Sequence, residues 1–325
     1  MSMKTPKFWQ KQNLIAYLLL PFSYCYQLAA FLNQSLTRPV KVNKPIICIG
    51  NLTAGGAGKT PIAIELGLML KKMGINFAYL SRGYGGNINH FTLVENQKHQ
   101  ACQTGDEPLL LAEISNCFIA KNKLFGAQQI AKMPDKKLII MDDGLQNRSL
   151  IKDFTILVID GIYGLGNNFI IPAGPLRQNI ADGIKQADLI IIIGEDQFNI
   201  AKLCQHKKII FAKIKVTNAA QFKNKNLIAF CGLGRPQKFF DSLKEIDNNI
   251  IKTISYPDHY LYQNNDLEKM IKLANQHNAW LVTSKKDWVR FDRQYQKQIK
   301  YLDITIQFDD QQYLKTKLKN LALAT

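Results

Sequence analysis

The chain is short of acidic groups, lacks any paired cysteine motif, and carries no charge at all over one long N-terminal stretch. Asp and Glu total 25 against 42 Lys and Arg in 325 residues, a formal net charge of +17. That imbalance favours anionic partners (nucleic acid, acidic lipid or phosphorylated substrate) without choosing among them. A general Lys-rich habit of the proteome is the bland alternative. No interleaved aromatic and basic motif of the RNA-binding type is present, so nucleic acid is not expected as a partner. Cys25, Cys48, Cys102, Cys117, Cys204 and Cys231 include no C-x-x-C pair, and Cys48 and Cys231 lie in apolar runs. They read as reduced core thiols in a cytosolic-side protein, which argues against a zinc site or a disulfide framework. Internal repeats and low-complexity linkers are absent too. With 46% hydrophobic and 21% charged residues, the chain is globular and long enough for two packed units.

The charge-free stretch is Gln12–Thr37, and Leu14–Leu32 within it is mostly apolar and aromatic. Lys4, Lys7 and Lys11 precede it, and Arg38, Lys41 and Lys44 follow. A spanning helix needs about 20 strongly apolar residues, but Pro21, Ser23 and Gln27 interrupt this run. A basic start, an apolar run and Ala29-Ala30 also resemble a signal peptide. The favoured expectation is a helix lying on a membrane, with Tyr17, Tyr24 and Tyr26 at headgroup level and lysines facing anionic lipid. A buried terminal helix of the core is the structural alternative.

From Lys44 onward, short β-rich runs alternate with helical periodicity. Strands are expected at Pro45–Ile49, Phe77–Leu80, Leu138–Met141, Thr155–Ile159, Leu189–Ile193, Ile209–Ala212, Leu227–Phe230, Trp280–Val282 and Ile304–Ile306. Ile62, Leu66, Met69, Leu70 and Met73 recur at helical spacing before Gly74. Further helices are expected over Pro108–Ile114 and Lys123–Met133, and Asn265 with Glu268 reads as a capping box opening another. This alternation predicts α/β layers around a mainly parallel sheet.

Between the first strand and the first helix runs Gly50-Asn51-Leu52-Thr53-Ala54-Gly55-Gly56-Ala57-Gly58-Lys59-Thr60. Small residues there let successive N–H groups turn inward around phosphate oxygens, and the helix adds its positive end. Thr53 through Thr60 would hold the phosphates of ATP, with Lys59 on the β- and γ-phosphates and the Thr60 hydroxyl on Mg²⁺. Pro61 is tolerated because the first helical turn needs no N–H there. The strict pattern G-x-x-x-x-G-K-[ST] asks for glycine where Thr53 stands, which marks a variant entry. Asp142-Asp143 ends an apolar strand, the place where a P-loop sheet offers carboxylates to magnesium or its waters. Taken alone, that pair is equally a solvated turn. Gly232-Leu233-Gly234 and Gly161–Gly166 lack the full G-x-G-x-x-G fingerprint and its distal acid, so a dinucleotide enzyme is a weak reading.

Gly50-Asn51-Leu52-Thr53 running into Gly-Gly-Ala-Gly-Lys-Thr-Pro, then Leu80-Ser81-Arg82-Gly83-Tyr84-Gly85, resembles the tetraacyldisaccharide 4'-kinases of lipid A biosynthesis. Thr104-Gly105-Asp106-Glu107-Pro108, Asp142-Asp143-Gly144-Leu145-Gln146 and Pro172-Ala173-Gly174-Pro175-Leu176-Arg177 extend the likeness, as do Tyr256-Pro257-Asp258-His259-Tyr260 and Thr283-Ser284-Lys285-Lys286-Asp287. These blocks occur in the family's order and cover nearly the whole chain. The resemblance implies a kinase on the cytoplasmic face of the bacterial inner membrane. It would move the γ-phosphoryl of ATP to the 4'-hydroxyl of tetraacyldisaccharide 1-phosphate, giving lipid IVA. It further implies Asp106 as base for the sugar hydroxyl with His259 as its partner, and Asp142, Asp143 and Thr60, helped by Glu107, around Mg²⁺. Asn51, Arg82, Tyr84 and Arg177 become candidates for substrate or phosphate contact. Arg82 and Arg177 equally suit structural ion pairs, and Asp106-Glu107-Pro108 equally suits a helix cap. The family commonly has histidine after Asp-Asp-Gly-Leu-Gln, where this chain has Asn147, which casts doubt on proton transfer there.

The expected architecture is a P-loop NTPase-like α/β fold. Residues 1–37 form a membrane-associating helical segment, 38–154 the nucleotide-binding domain, and 155–325 a smaller α/β domain supplying His259, with room for the C-terminal segment to return to the first. A membrane-associated P-loop ATPase or nucleotide-binding protein acting on another anionic partner is the competing reading.

Overall fold

The computed structural model describes residues 6–323; Lys4, one of the flanking bases, lies outside them. In chain order the strands are β1 (Ile46–Gly50), β2 (Phe77–Ser81), β3 (Thr92–Leu93), β4 (Cys117–Ile119), β5 (Leu138–Asp142), β6 (Phe154–Asp160), β7 (Leu189–Ile193), β8 (Lys208–Val216), β9 (Asn226–Cys231), β10 (Asn249–Ser255), β11 (Trp280–Ser284), β12 (Lys300–Leu302) and β13 (Ile304–Phe308). They build a nine-stranded sheet, β13-β8-β7-β6-β1-β5-β2-β4-β3, and a four-stranded sheet, β10-β9-β11-β12. All pairings are parallel except β13 with β8 and β3 with β4.

Burial explains the centre of the large sheet. β1, β2, β5, β6 and β7 are buried at every position. Their near-continuous Ile and Leu runs are what a parallel strand covered by helices on both faces requires. The helix Lys59–Lys72 turns Ile62, Leu66, Met69 and Leu70 into that core. It starts earlier than Ile62 because Lys59, Thr60 and Pro61 make its first turn. At the helix Asn264–Gln276 the expected capping box is displaced: Gln263 and Asp266 form it, and the Gln263 N–H donates to Asp266 Oδ2 at 3.0 Å. Glu268 instead accepts from the Tyr295 hydroxyl at 3.1 Å.

The sheets do not divide the chain at the expected boundary. The boundary after residue 154 falls in β6, which pairs with β1 along Phe154–Leu157. The large sheet therefore continues to Val216, and the small sheet takes its strands from Asn226–Leu302. β13 then returns antiparallel to β8, and the Thr305 hydroxyl donates to buried Glu65 Oε2 on the phosphate-loop helix at 2.8 Å.

The N-terminal stretch forms two helices, Leu14–Leu18 and Leu20–Ser35. They are not core helices, and Cys25 on the second is exposed, as is Cys102, so only Cys48, Cys117, Cys204 and Cys231 are core thiols. Leu14 is 74% exposed, Leu18 66%, Phe22 62% and Phe31 64%, whereas Ala16 and Ser23 are buried. Ser23 Oγ donates to Ile170 O at 2.7 Å and Trp9 Nε1 to Pro172 O at 3.0 Å, which fasten this layer onto the 167–176 loop. Among the described residues, no helix is long and apolar enough to cross a membrane.

Candidate active site

β1 lies between β5 and β6, so Gly50 and Asp142 end close together at the carboxyl edge of the large sheet, and β6 runs past Leu157, the partner of Gly50, to end at Asp160 on the same edge. In open α/β sheets ligands bind at that edge. The loop leaving β1 is shaped by its glycines. Gly58 takes φ +90°, and a Cβ there would stand 2.5 Å from Ile193 Cδ1. Thr53 needs no glycine because the chain enters the loop extended. It bridges Leu176 antiparallel, Ala54 N–H donates to Pro175 O at 2.7 Å, and Arg177 N–H donates to Leu52 O at 2.8 Å. The Pro172–Arg177 block is thus the outer wall of the phosphate loop.

Asn51 is fully buried. Its amide donates to Thr53 O at 2.6 Å, and its Oδ1 accepts from Lys59 Nζ at 3.0 Å. It holds the loop lysine and does not face the cleft as an independent contact. Lys59 Nζ also stands 3.5 Å from Asp143 Oδ1. Arg177 Nη1 donates to both Asp143 oxygens at 2.9 and 3.0 Å, so Arg177 is an ion-pair partner here. Burial opposes ionisation of Asp143, but Lys59, Arg177 and Lys123 outweigh it and hold the carboxyl below the usual range.

Asp142 is the opposite case. It is 1% exposed, and among the described residues neither carboxylate oxygen has a hydrogen-bond partner. Burial, then the charge of Glu107, push its carboxyl up to about 7 against the pull of Lys59. An orphaned buried carboxylate that feels the charges of Glu107 and Lys59 has the donor chemistry of a hard cation's site. Lys123 supports the pair from behind, donating to Asp142 O and, at 2.8 Å, to Asp143 O.

The second cluster spans the two sheets. Asp106 opens the helix Asp106–Ala112 after Gly105, whose φ is +86° and whose Cβ would strike Tyr84 O at 2.3 Å. That close approach sets the Arg82–Tyr84 turn against Asp106; both Arg82 and Tyr84 are exposed. His259, in the left-handed region at φ +56°, brings Nδ1 to 3.1 Å from Asp106 Oδ2. The Tyr84 ring stands edge-on to the imidazole at 5.3 Å. Arg290 grips the same Oδ2 through Nε at 3.0 Å and through Nη2. Lys286 Nζ donates to Glu107 Oε1 at 3.2 Å and lies 3.4 Å from His259 Nε2. Burial works against the Asp106 charge, but Lys286, the His259 hydrogen bond and Arg290 overcome it and keep the carboxyl far below its ordinary value. An ionised carboxylate only accepts, so His259 Nδ1 carries the hydrogen.

Asp106, Glu107 and His259 offer ligand atoms within 4.8 Å of one another, but the Lys286 ammonium already serves Glu107 and His259. Glu107 therefore fits a metal less well than Asp142 does. Asn147 accepts from Ser149 N–H at 3.2 Å and from the Ser149 hydroxyl at 3.0 Å, a turn role with no proton to move. Gly232-Leu233-Gly234 has a packing reason: a Cβ on Gly232 would lie 3.0 Å from Pro257 O and one on Gly234 2.9 Å from Asp258 Oδ2, and Gly234 also comes within ordinary contact of Gly56 N, so the small unit meets the phosphate loop there. Beside it, Arg235 and Lys238 pair with buried Asp160, and Arg235 lies over the Tyr163 ring at 4.3 Å. Sequence reasoning assigned no role to Lys123, Lys286 or Arg290. Lys286 lay inside a quoted block, but nothing in the order of residues tells that Arg290 meets Asp106 across a separation of 184 positions.

Comparisons with known proteins agree with this arrangement. The family model for tetraacyldisaccharide-1-P 4'-kinase matches residues 15–322. A tetraacyldisaccharide 4'-kinase of Rickettsia typhi is 41% identical over 316 residues, spanning 96% of this chain and 97% of its own. That of Rickettsia akari is 38% identical over 316 residues, with 96% of each chain covered. A crystal structure of the "apo" form of LpxK from Aquifex aeolicus in complex with ATP superposes with a TM-score of 0.78 at 24% identity, covering 95% of this chain and 99% of that one. The fold is therefore that of LpxK, and by sequence the chain belongs to the tetraacyldisaccharide-1-P 4'-kinase family, the kinases of lipid A biosynthesis.

Proposed function

We propose that the chain transfers the γ-phosphoryl of ATP to the 4'-hydroxyl of tetraacyldisaccharide 1-phosphate, giving lipid IVA, at the cytoplasmic surface of the bacterial inner membrane. The observation that carries this reading is the Asp106–His259 pair, set beside an edge that bears Lys59, Thr60, Asp142 and Asp143. Glu107 links the two clusters, because its charge reaches Asp142.

In this reading the turned loop Thr53–Thr60 cradles the nucleotide, and Lys59, steadied by Asn51 and Asp143, meets its phosphates. Mg²⁺, when bound, would neutralise charge on the transferring phosphoryl group; Thr60, Asp142 and Asp143 would hold it. Asp106 accepts a hydrogen bond from the sugar hydroxyl and takes its proton as the new P–O bond forms. A carboxylate weakened by three donors is adequate for this. Phosphoryl transfer has a loose transition state, so the proton leaves late, when the hydroxyl has become acidic. His259 fixes the carboxylate's orientation, and exposed Tyr84 and Arg82 offer an apolar edge and a phosphate-matched fork to the acceptor. The exposed Leu14, Leu18, Phe22 and Phe31 suit entry into the interface of the bilayer that holds the acyl chains. The excess of Lys and Arg suits its anionic headgroups.

Purified protein supplied with γ-labelled ATP, Mg²⁺ and the disaccharide acceptor in mixed micelles should yield labelled lipid. A folded, ATP-binding preparation that yields none refutes the reading.

A further inference from the structure

Arg290 belongs to no block of the sequence likeness and has no role in the scheme above, yet its side chain is only 5% exposed and fully engaged. One face of its fork, Nε and Nη2, holds Asp106 Oδ2. Nη1 donates to Asp287 Oδ1 at 2.8 Å and reaches Tyr260 O at 3.4 Å. Tyr260 follows His259, so one guanidinium touches the carboxylate of the large unit and the main chain beside its histidine partner in the small unit. Asp287 is itself anchored: Ser284 Oγ donates to Oδ2 at 2.6 Å, and Gly232 N–H and the Tyr262 hydroxyl donate to Oδ1 at 3.0 and 3.1 Å. Ser284 Oγ in turn accepts from Asp287 N–H, capping the short helix Lys285–Trp288. A rigid chain thus runs from the floor of the small sheet to a single oxygen of Asp106. The other oxygen, Oδ1, accepts only the neighbouring Glu107 N–H at 2.9 Å among the described residues, which leaves it a free lone pair.

We infer that Arg290 is a positioning residue for phosphoryl transfer: anchored on Asp287, it locks Asp106 Oδ2 against His259 and leaves Oδ1 to meet the acceptor hydroxyl. The geometry needs a planar fork, because three donors from one guanidinium must reach two carboxylates and a carbonyl in fixed directions. A lysine at this position would carry the charge without the directions. Lys286 does not duplicate the role, since its Nζ meets Glu107 and the far nitrogen of His259 and has no hydrogen bond to Asp106. The inference rests on Asp106 being the group that meets the hydroxyl.

The test compares Arg290→Lys, Arg290→Ala and Asp106→Asn in the full-length protein in mixed micelles, reading kcat, KM for ATP and the melting temperature. A misplaced reacting group loses on the order of a hundredfold in rate. Arg290→Lys should therefore lose about that much kcat, keep KM for ATP within about twofold, and melt near the parent temperature. In Arg290→Ala, added guanidinium at millimolar concentration should restore part of kcat where methylammonium does not. If Arg290→Lys turns over like the parent while Asp106→Asn is inactive, the positioning role is wrong and the base assignment stands. If Asp106→Asn turns over normally, the base assignment fails and takes this inference with it. A loss in Arg290→Ala that tracks only the melting temperature, with no guanidinium rescue, also overturns the inference in favour of a purely structural ion pair.

Discussion

Replacing Asp142 with asparagine should abolish phosphoryl transfer and yet make the metal-free protein more stable above neutral pH. The carboxyl is 1% exposed with no hydrogen-bond partner for either oxygen among the described residues. Burial first, and Glu107 second, raise it from an ordinary 3.8 to about 7. The folded protein therefore holds this proton more tightly than the unfolded chain does. Between about pH 4 and pH 7 the folded state binds more protons, so stability falls as pH rises through that window and levels off above it. The shift from 3.8 to about 7 is roughly three units at about 1.4 kcal/mol each, on the order of 4 kcal/mol at pH 8. Asparagine has no charge to desolvate, fills nearly the same volume and gives up no hydrogen bond of the parent. Urea unfolding in EDTA at pH 5, 6.5 and 8 should show Asp142→Asn ahead of the parent by roughly 2–4 kcal/mol at pH 8, the lead shrinking as pH falls. Mg²⁺ with ATP should then raise the parent's stability by mass action and the variant's far less. A parent at least as stable as the variant at pH 8, or a lead that widens towards pH 5, refutes the assignment of a strained, cation-seeking carboxylate.

Gly58→Ala should weaken ATP binding by about tenfold or more and destabilise the fold by roughly 1–2 kcal/mol, because φ +90° is hostile to an L side chain and the new Cβ would meet Ile193; an unchanged KM for ATP speaks against this loop as the phosphate cradle. Leu18→Asp with Phe22→Asp alters side chains that are 66% and 62% exposed. Melting should hold within about 0.5 kcal/mol, while partitioning onto anionic phospholipid vesicles drops at least about tenfold, each lost apolar insertion being worth roughly 1–2 kcal/mol. Undiminished partitioning moves the membrane contact elsewhere.

Elements whose signal is local were legible in the sequence, and those made by distant residues were not. β1, the phosphate loop and its helix are contiguous, so strand pattern, small residues and helical spacing reinforce one another within one stretch. The five-residue run of β7 is read as easily, because a strand covered on both faces has only one composition open to it. β3, β4, β10 and β12 went unread for different reasons. β3 and β4 are two and three residues long, and β10 is a sheet edge whose exposed positions carry no alternation. Thr53 shows a rule failing for a stateable cause: the glycine of the strict pattern serves a tight turn, and pairing with Leu176 replaces that turn by extended chain.

The active site divides in the same way. Lys59, Thr60 and Asp142-Asp143 announce themselves by position at a strand's end, and Asp106 with His259 followed from the ordered blocks. What no block conveys is that Asp106 Oδ2 is gripped by His259 and Arg290 while Oδ1, among the described residues, accepts only the Glu107 N–H. Its environment comes from Glu107, His259, Lys286 and Arg290, and the last three belong to the small unit and converge only when it docks. This docking also explains why neither unit holds a complete site: the large unit alone has the Thr53–Thr60 loop with Asp106 unoriented, and the small unit alone has Arg290 on Asp287 but no Asp106 for Arg290 and His259 to hold. Because the Thr53–Thr60 loop approaches the small unit at Gly234 and the proposed base, Asp106, touches it at His259 and Arg290, any separation of the units loosens both supports at once. A shift of the small unit by even an ångström at Arg290 would therefore slacken the loop and turn Asp106 away together, which is a physical reason for transfer to wait until both units are in place.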